Sequence, residues 1–341
     1  MKKTKNILVT GGTGLVGAHL LVQLAKSENQ IYALYRTSSG LEKTKHVFSY
    51  YSTDFENLFS KIKWVKGDIT DIPSLEKAFD DIDWVYHCAA IVSFSRKDEN
   101  LMRKTNIEGT ANMVNLALAN DVKKFCYVSS IATLDKNKKT TPIDETNEWN
   151  PENNNYDYAI SKYGGEMEVW RASQEGLDVI IVHPGVILGS GFWHINTGKF
   201  FANAANNFLY YTTGITGFVG VKEVVKTMIL LMESSIVNDH FILVSENRSF
   251  QYIMTEIAQA LGTKPPTKKV SPLLGNIAWR LAWIKAKLTG KPPLITKHSA
   301  NAAQQVYYYS SEKIQKALHF SFPSINQSIQ DYSEHYKSDY N

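Results

Sequence analysis

The chain reads as an α/β protein, a Rossmann-type doubly wound parallel sheet with a smaller C-terminal substrate-binding portion. Three observations predict it. Short apolar runs alternate with helical patterns through the first half, which is the mark of βαβ units. A glycine-rich turn, Thr10-Gly11-Gly12-Thr13-Gly14-Leu15-Val16-Gly17, joins the first run to the first helical pattern. The alternation then decays after Pro184, where a different portion begins.

The elements follow in order. Apolar runs at 6–10, 30–35, 62–65, 84–89, 125–129 and 179–183 predict strands, with helices at 15–26, 73–80, 100–119 and 157–174 between them. Residues 134–155 are polar, hold Pro142, Pro151 and three consecutive asparagines, and read as a loop. Helical patterns at 222–233, 250–261, 273–289 and 311–318 complete the chain. The expected division is a dinucleotide-binding portion over 1–183 and a mainly substrate-binding portion over 184–341, with elements of the latter free to return to the sheet.

Composition excludes several classes. With 43% hydrophobic and 21% charged residues, intrinsic disorder is ruled out, and 341 residues allow about two domains. The longest apolar runs fall far short of the ~18 residues of a membrane span. Only Ile7, Leu8 and Val9 follow the basic start before polar Thr10, too few for an export signal. Cys88 and Cys126 lie inside apolar runs, as buried thiols do. The expected setting is a reducing cytoplasm. A net charge of +4 is too small for a nucleic-acid binder. The expected partner is a small-molecule substrate, with no nucleic acid, no stable membrane insertion, and a homodimer allowed.

The glycine turn has a physical logic. Gly11 permits the tight turn, Gly14 lets backbone approach a pyrophosphate, and Gly17 lets helix and strand pack closely. The helix N-terminus adds free N–H groups. A NAD site usually carries an acid ~20 residues further on. Here the second strand ends in Arg36, and the next acid is Glu42. An Arg can meet a 2′-phosphate that an acid would repel, and Lys43 can reach the same group. NADP is therefore favoured, with NAD as the alternative.

Tyr158 and Lys162 stand four apart and share one helix face. That spacing is weak alone: 18 tyrosines among this many lysines produce about 1.6 chance matches, and Tyr309 with Lys313 is a second. Context separates them. Tyr158 opens the helix after the fifth strand, which ends in Ser129-Ser130, and carboxyl ends of such strands are where ligands meet a doubly wound sheet. Tyr309 and Lys313 are expected as a surface turn and helix start.

Several motifs occur in one order: Thr-Gly-x-x-Gly-x-x-Gly, Asp68-Ile69, His87-Cys88-Ala89-Ala90, Asn106-Ile107-Glu108-Gly109-Thr110, Ser129-Ser130, Tyr158-x-x-x-Lys162 and His183-Pro184-Gly185. Over roughly residues 6–335 the chain resembles an extended short-chain dehydrogenase/reductase of the NAD-dependent epimerase/dehydratase superfamily. Arg36 with Lys43 resembles the dihydroflavonol reductase subgroup, and the stretches 291–296 and 309–313 resemble 3β-hydroxysteroid dehydrogenase-like relatives.

The resemblance implies roles. Tyr158 would be the general acid of carbonyl reduction, with Lys162 lowering the tyrosine pKa and binding the nicotinamide ribose. Ser130 would hydrogen-bond the substrate oxygen, backed by Ser129. Gly11, Thr13, Gly14, Leu15, Val16 and Gly17 would form the phosphate turn, and Asp68 and Ile69 would flank adenine. His87, Ala89 and Ala90 would line the pyrophosphate and ribose, Asn106 would brace the active-site helix, and Pro184, Gly185 and Val186 would complete the cofactor site. The implied activity is NADP-dependent reduction of a carbonyl or oxidation of an alcohol; the alternatives are a NAD-dependent nucleotide-sugar epimerase or dehydratase, or a non-catalytic NADP-binding protein.

Departures limit the match. His183-Pro184 replaces the Arg-Pro of many sugar-modifying relatives, and Gly220 and Glu223 replace two aspartates of a Phe-Val-Asp-Val-x-Asp-Val segment. No cluster has metal-ligand spacing. On the substrate side, Ser93 and Phe94 are expected to line the pocket with Trp193, as suits a flat apolar ketone better than a sugar. Residues 257–311 contain no Asp or Glu and eight Lys or Arg. Within them Leu274, Ile277, Leu281, Ile284 and Leu288 form an apolar stripe, flanked by Trp279, Trp283 and the cations Arg280, Lys285 and Lys287. A packing helix or lid, with its apolar face against protein, is favoured there over a membrane-surface helix.

Overall fold

A computed structural model describes residues 4–136, 142–153, 155–289 and 296–340. The first half runs β1 (Asn6–Thr10), α1 (Leu15–Leu24), β2 (Gln30–Tyr35), α2 (Ser38–Ser49), α3 (Phe55–Ser60), β3 (Ile62–Lys66), α4 (Ile72–Leu75) and β4 (Trp84–His87). It continues with α5 (Glu99–Met102), α6 (Gly109–Ala119), β5 (Lys124–Val128), α7 (Asp157–Gln174) and β6 (Asp178–Pro184). Then come β7 (Val186–Leu188), α8 (Lys199–Ala205), β8 (Tyr210–Tyr211), β9 (Ile215–Gly220), α9 (Val221–Glu233), β10 (Asp239–Leu243), β11 (Glu246–Ser249) and α10 (Phe250–Leu261). The last elements are β12 (Lys268–Lys269), α11 (Pro272–Thr289), α12 (Lys297–Ala302), α13 (Glu312–Leu318) and α14 (Ile325–Tyr340).

Seven strands form one sheet in the order β3-β2-β1-β4-β5-β6-β10, each pair parallel. Strand alternation sends Ile7, Val9, Ile180 and Val182 to one face and Leu8, Val179 and Ile181 to the other. The first face is covered by α1 and α9, through Leu20, Leu21, Val224 and Met228. The second is covered by α6 and α7, through Met113, Val114, Val169 and Ala172. Strand order reverses between β1 and β4, and the crevice at their carboxyl ends is where a doubly wound sheet binds ligands. The expected boundary at 183/184 falls inside β6. The C-terminal portion also returns β10 to the sheet, with Asp239–Leu243 paired on Ile180–Pro184.

Four differences from the sequence expectation have physical reasons. Helix α2 opens on Ser38-Ser39-Gly40, which resembles a turn, and buries only Thr44, Val47 and Phe48. Helix α14 buries Ile325, Ser328, Ile329, Tyr332, Ser333 and Tyr336, a helical stripe carried mostly by tyrosine and serine. The expected helix 100–119 is interrupted by a π-helical turn over Arg103–Glu108. Tyr309 is not at the surface: it is 4% exposed, packed with Ile131, Ile143 and Val244, because its strand-like segment bridges Ile143.

Helix α11 also departs from expectation. Leu274, Ile277, Leu281 and Ile284 are 47–61% exposed, so this apolar stripe does not rest against protein. The side chains of Lys285, Lys287 and Leu288, and residues 290–295 with most of the 291–296 motif, lie outside the described residues. Among the described residues no helix is long and apolar enough to cross a membrane.

The departures at 220 and 223 are matched to each other. A Cβ on Gly220 would stand 2.1 Å from Glu223 Oε2 and 2.7 Å from Ser328 Oγ. The longer Glu223 side chain therefore fills the space that the absent one leaves, and burial raises its carboxyl pKa.

Helix α7 is placed by a close approach. A Cβ on Gly165 would lie 2.2 Å from the Asn106 carbonyl oxygen and 2.6 Å from Tyr127 Oη, so only glycine lets α7 seat on the π-helical turn. Gly165→Ala should cost ~1–3 kcal/mol or more by overpacking. Gly275→Ala, where a Cβ meets only Val270 at 4.0 Å, should be neutral or stabilising inside its helix. Urea denaturation of both variants tests this; equal midpoints would remove the close approach as the constraint on α7.

Candidate active site

The glycine turn leads from β1 into α1. Gly11 has φ +67°, and a Cβ there would stand 2.6 Å from Ala89 N, so the turn is pressed against the end of β4. Gly17 lies equally close to the Gly11 carbonyl, 2.2 Å from a notional Cβ. Gly14 differs. Its notional Cβ meets only Gly11 O, at 3.4 Å, and as the N-cap of α1 it brings no side chain to the helix amides. An open face beside uncapped N–H groups is a cradle for a phosphate. Leu15 and Val16 turn into the core, while Thr13 sits 3.0 Å from a notional Cβ of Gly40. The start of α2 is thereby locked onto the turn, and a dinucleotide fits the set.

Arg36 follows β2 in this second βα unit. Its side chain is 64% exposed, with Nη1 3.9 Å from Asp68 Oδ2. Asp68 Oδ1 accepts from the Thr70 amide and hydroxyl, both at 2.9 Å. Helix α2 begins two residues after Arg36, so its positive N-terminus adds to the guanidinium. Lys43 is exposed on α2. Ile69 is buried beneath α6, 2.7 Å from a notional Cβ on Gly109.

Several expected cofactor residues act as braces. His87 is fully buried, with Nδ1 2.6 Å from Thr10 Oγ1 and Nε2 3.0 Å from Thr110 Oγ1. Both ring nitrogens are engaged, and burial lowers its pKa to about 3. His87 thus ties β4 to β1 and α6 as a neutral ring, while Ala89 borders the glycine turn and Ala90 is exposed. Asn106, in the π-helical turn, holds Ile91 by both backbone groups at 2.8 and 2.9 Å and donates to Ser161 Oγ at 3.0 Å. It braces α7 against the loop after β4. Pro184 closes β6, the Gly185 amide donates to Leu243 O at 3.0 Å, and Val186 opens β7 against Phe218.

Ser129 and Ser130 face opposite ways. Ser129 donates to Glu166 Oε2 at 2.7 Å, away from the crevice. The Ser130 side chain pulls the Tyr158 phenol pKa down, against a larger rise from burial. Tyr158 therefore keeps its proton at neutral pH. Lys162, 2% exposed, donates to Val128 O at 2.7 Å and lies 4.1 Å over the Tyr127 ring. Burial lowers its pKa to about 7, with Glu166 opposing. The structure thus brings Ser130, Tyr158 and Lys162 to one strand end and one helix face.

On the outer side, Phe94 stacks on Tyr156 at 5.7 Å and stands 6.4 Å from the Tyr158 ring. Ser93 is turned to Asp98, donating at 2.6 Å. Tyr156, the N-cap of α7, joins this aromatic wall and was missed from sequence; the signal was an aromatic two residues before Tyr158. Trp193 lies elsewhere. It packs on Phe201 and Tyr336, donates to Asp339 at 2.6 Å, and lines a cleft of about 660 Å³ with Tyr50, His335 and Asp339.

Several known proteins resemble this chain in sequence and fold. Over 335 residues the chain is 28% identical to a putative dihydroflavonol 4-reductase of Synechocystis sp., covering 95% of this chain and 92% of that one. It is 25% identical over 274 residues to sterol demethylase protein B of Methylococcus capsulatus, covering 78% of each. Dihydroflavonol 4-reductase of Arabidopsis thaliana is matched at 25% identity over 55% of this chain and 51% of its own length. Among solved structures, gox2253 superimposes with a TM-score of 0.81 at 25% identity over 99% of both chains. UDP-glucose 4-epimerase of Thermotoga maritima shares the fold with a TM-score of 0.78 at 20% identity, over 98% of this chain and 100% of that one. Residues 7–243, a span that contains the glycine turn, Ser130, Tyr158 and Lys162, match the family model, and the chain belongs to the NAD dependent epimerase/dehydratase family.

Proposed function

We propose that the protein is an NADP-dependent oxidoreductase that moves hydride between NADPH and the carbonyl or secondary alcohol of a small, apolar substrate. The observation that carries the reading is the convergence of the Ser130 side chain and the Tyr158 phenol, whose pKa it lowers, one helical turn from the buried Lys162. A nicotinamide dinucleotide bound at the glycine turn supplies the hydride. Tyr158, protonated by virtue of burial, gives its phenolic proton to the carbonyl oxygen as negative charge develops there. Ser130 donates a hydrogen bond to the same oxygen and orients it. The phenolate left behind is stabilised by the Lys162 ammonium, itself held by the Val128 carbonyl and the Tyr127 ring. In the oxidative direction Tyr158 recovers the proton.

Arg36 and the N-terminus of α2 support NADPH over NADH, since both favour a 2′-phosphate where an acid would oppose it. The Phe94–Tyr156 wall supports a flat apolar substrate, and the reductase names of the Synechocystis and Arabidopsis relatives support reduction. The direct test is a panel of ketones, aldehydes and UDP- or GDP-sugars, read by NADPH absorbance and by sugar product analysis. Turnover of sugar nucleotides alone would replace this reading with epimerisation or dehydration.

Three outcomes are expected. NADPH should bind at least tenfold tighter than NADH, or ~1.4 kcal/mol, and Arg36→Asp should erase or invert the preference in fluorescence titrations. Tyr158→Phe should cut turnover about a hundredfold or more, as loss of a general acid does, with NADPH affinity kept, while Tyr309→Phe leaves turnover unchanged. The pH profile follows from Lys162, whose burial lowers its pKa to about 7. Its ammonium is present below that value and lost above it, so kcat/KM for reduction should fall on the alkaline side with a midpoint near 7. Lys162→Arg should move that limb upward if it retains activity. An alkaline limb that starts only at the tyrosine range would assign no such role to Lys162.

A further inference from the structure

Behind Ser130, away from the crevice, three elements bring two histidines and a carboxylate together. Glu166 comes from α7, His183 from β6 and His240 from β10. Glu166 and His183 are 6% and 0% exposed, while His240 is half-buried on the edge strand. His183 Nε2 lies 3.1 Å from His240 Nδ1 and 3.8 Å from Glu166 Oε1. One ligand atom from each residue falls within 4.8 Å of the other two. We propose that Glu166, His183 and His240 form a binding site for a divalent first-row transition metal of the zinc class, directly behind the hydride-transfer site.

The surrounding hydrogen bonds set the atoms for this. His183 Nδ1 faces Ser130 O at 3.3 Å and Thr133 Oγ1 at 3.1 Å. A carbonyl can only accept, so Nδ1 carries the proton and the Nε2 lone pair points toward His240 and Glu166. A ring N–H held by a backbone carbonyl is the usual outer support of a metal-bound imidazole. Glu166 Oε2 is likewise taken, by Ser129 Oγ at 2.7 Å and Thr133 Oγ1 at 3.1 Å, which leaves Oε1 on the His183 side. Lys313, the nearby cation on α13, is bound to Asp239 and the His240 carbonyl.

Donor chemistry decides the class of ion. Two imidazoles and one carboxylate suit Zn²⁺, Co²⁺ or Ni²⁺, whereas Mg²⁺ and Ca²⁺ prefer all-oxygen shells. Ligand atoms around tetrahedral zinc stand about 3.3 Å apart, from bonds of ~2.0–2.1 Å, so small side-chain rotations close the triangle. An arginine at 183 would place a permanent cation beside Glu166; histidine offers a lone pair instead. His240 at the sheet edge gives the ion its way in.

Two metals probe the site on the full-length chain after EDTA treatment. Co²⁺ added to the stripped protein should give visible d–d bands of a low-coordinate nitrogen/oxygen site, saturating at one equivalent and bleached by Zn²⁺. Zn²⁺ titrated by calorimetry should bind with the same stoichiometry and raise Tm, since a ligand of the native state stabilises it. His240→Gln, a change at a half-buried edge position, should weaken Zn²⁺ at least tenfold while circular dichroism stays native, and Glu166→Gln should do the same. Absence of Co²⁺ bands and of Zn²⁺ heat in the wild type would overturn the proposal, whatever the variants do. So would wild-type affinity in a folded His240→Gln protein, because the metal would then be held elsewhere.

Discussion

The contact that the site depends on is backbone against backbone, where Gly165 of α7 meets the carbonyl of Asn106. It lets a long helix lie directly on the π-helical turn, and the other constraints follow from that seating. Asn106 reaches the loop after β4 and Ser161 from one side chain. Tyr127 donates to the Lys162 carbonyl at 3.2 Å while offering its ring to the ammonium of the same residue. Depth and rotation of α7 are therefore set from two sides. Tyr158 and Lys162 inherit their positions from that seating.

Burial then determines what those side chains do. Tyr158 is driven toward its neutral form and Lys162 toward losing its charge. Opposing these shifts are specific partners: the Ser130 hydroxyl for the phenol, and Glu166 for the lysine. Burial outweighs the partner at Lys162, which is how a side chain that is ordinarily a fixed charge comes to titrate near neutrality.

Much of this was legible in the sequence, for identifiable reasons. Parallel strands buried on both faces are near-continuous apolar runs, so β1 and β2 are delimited to the residue. The Ser130, Tyr158 and Lys162 assignment rested on chain order, which the topology preserves. What escaped is what depends on partners distant in sequence. Tyr309 looked like a surface turn because Ile143, which it bridges, lies in a polar loop. Trp193 looked like a pocket wall because nothing local announces Asp339. Glu166 stood in plain view one turn beyond Lys162, but its neighbours come from two strands. Helix α14 was hidden because tyrosines and serines make up most of its buried stripe.

The sheet's last strand has a consequence for how the chain acquires its shape. Strand β6 ends at Pro184, but its outer neighbour β10 begins only at Asp239. As the polypeptide leaves the ribosome, β6 is made first and its unsatisfied edge must wait while the intervening segment is synthesised. An open strand edge of this kind recruits other strands. Nascent chains are thus at greatest risk of mispairing within that interval. A shortened chain ending near residue 184 would carry the same exposed edge permanently.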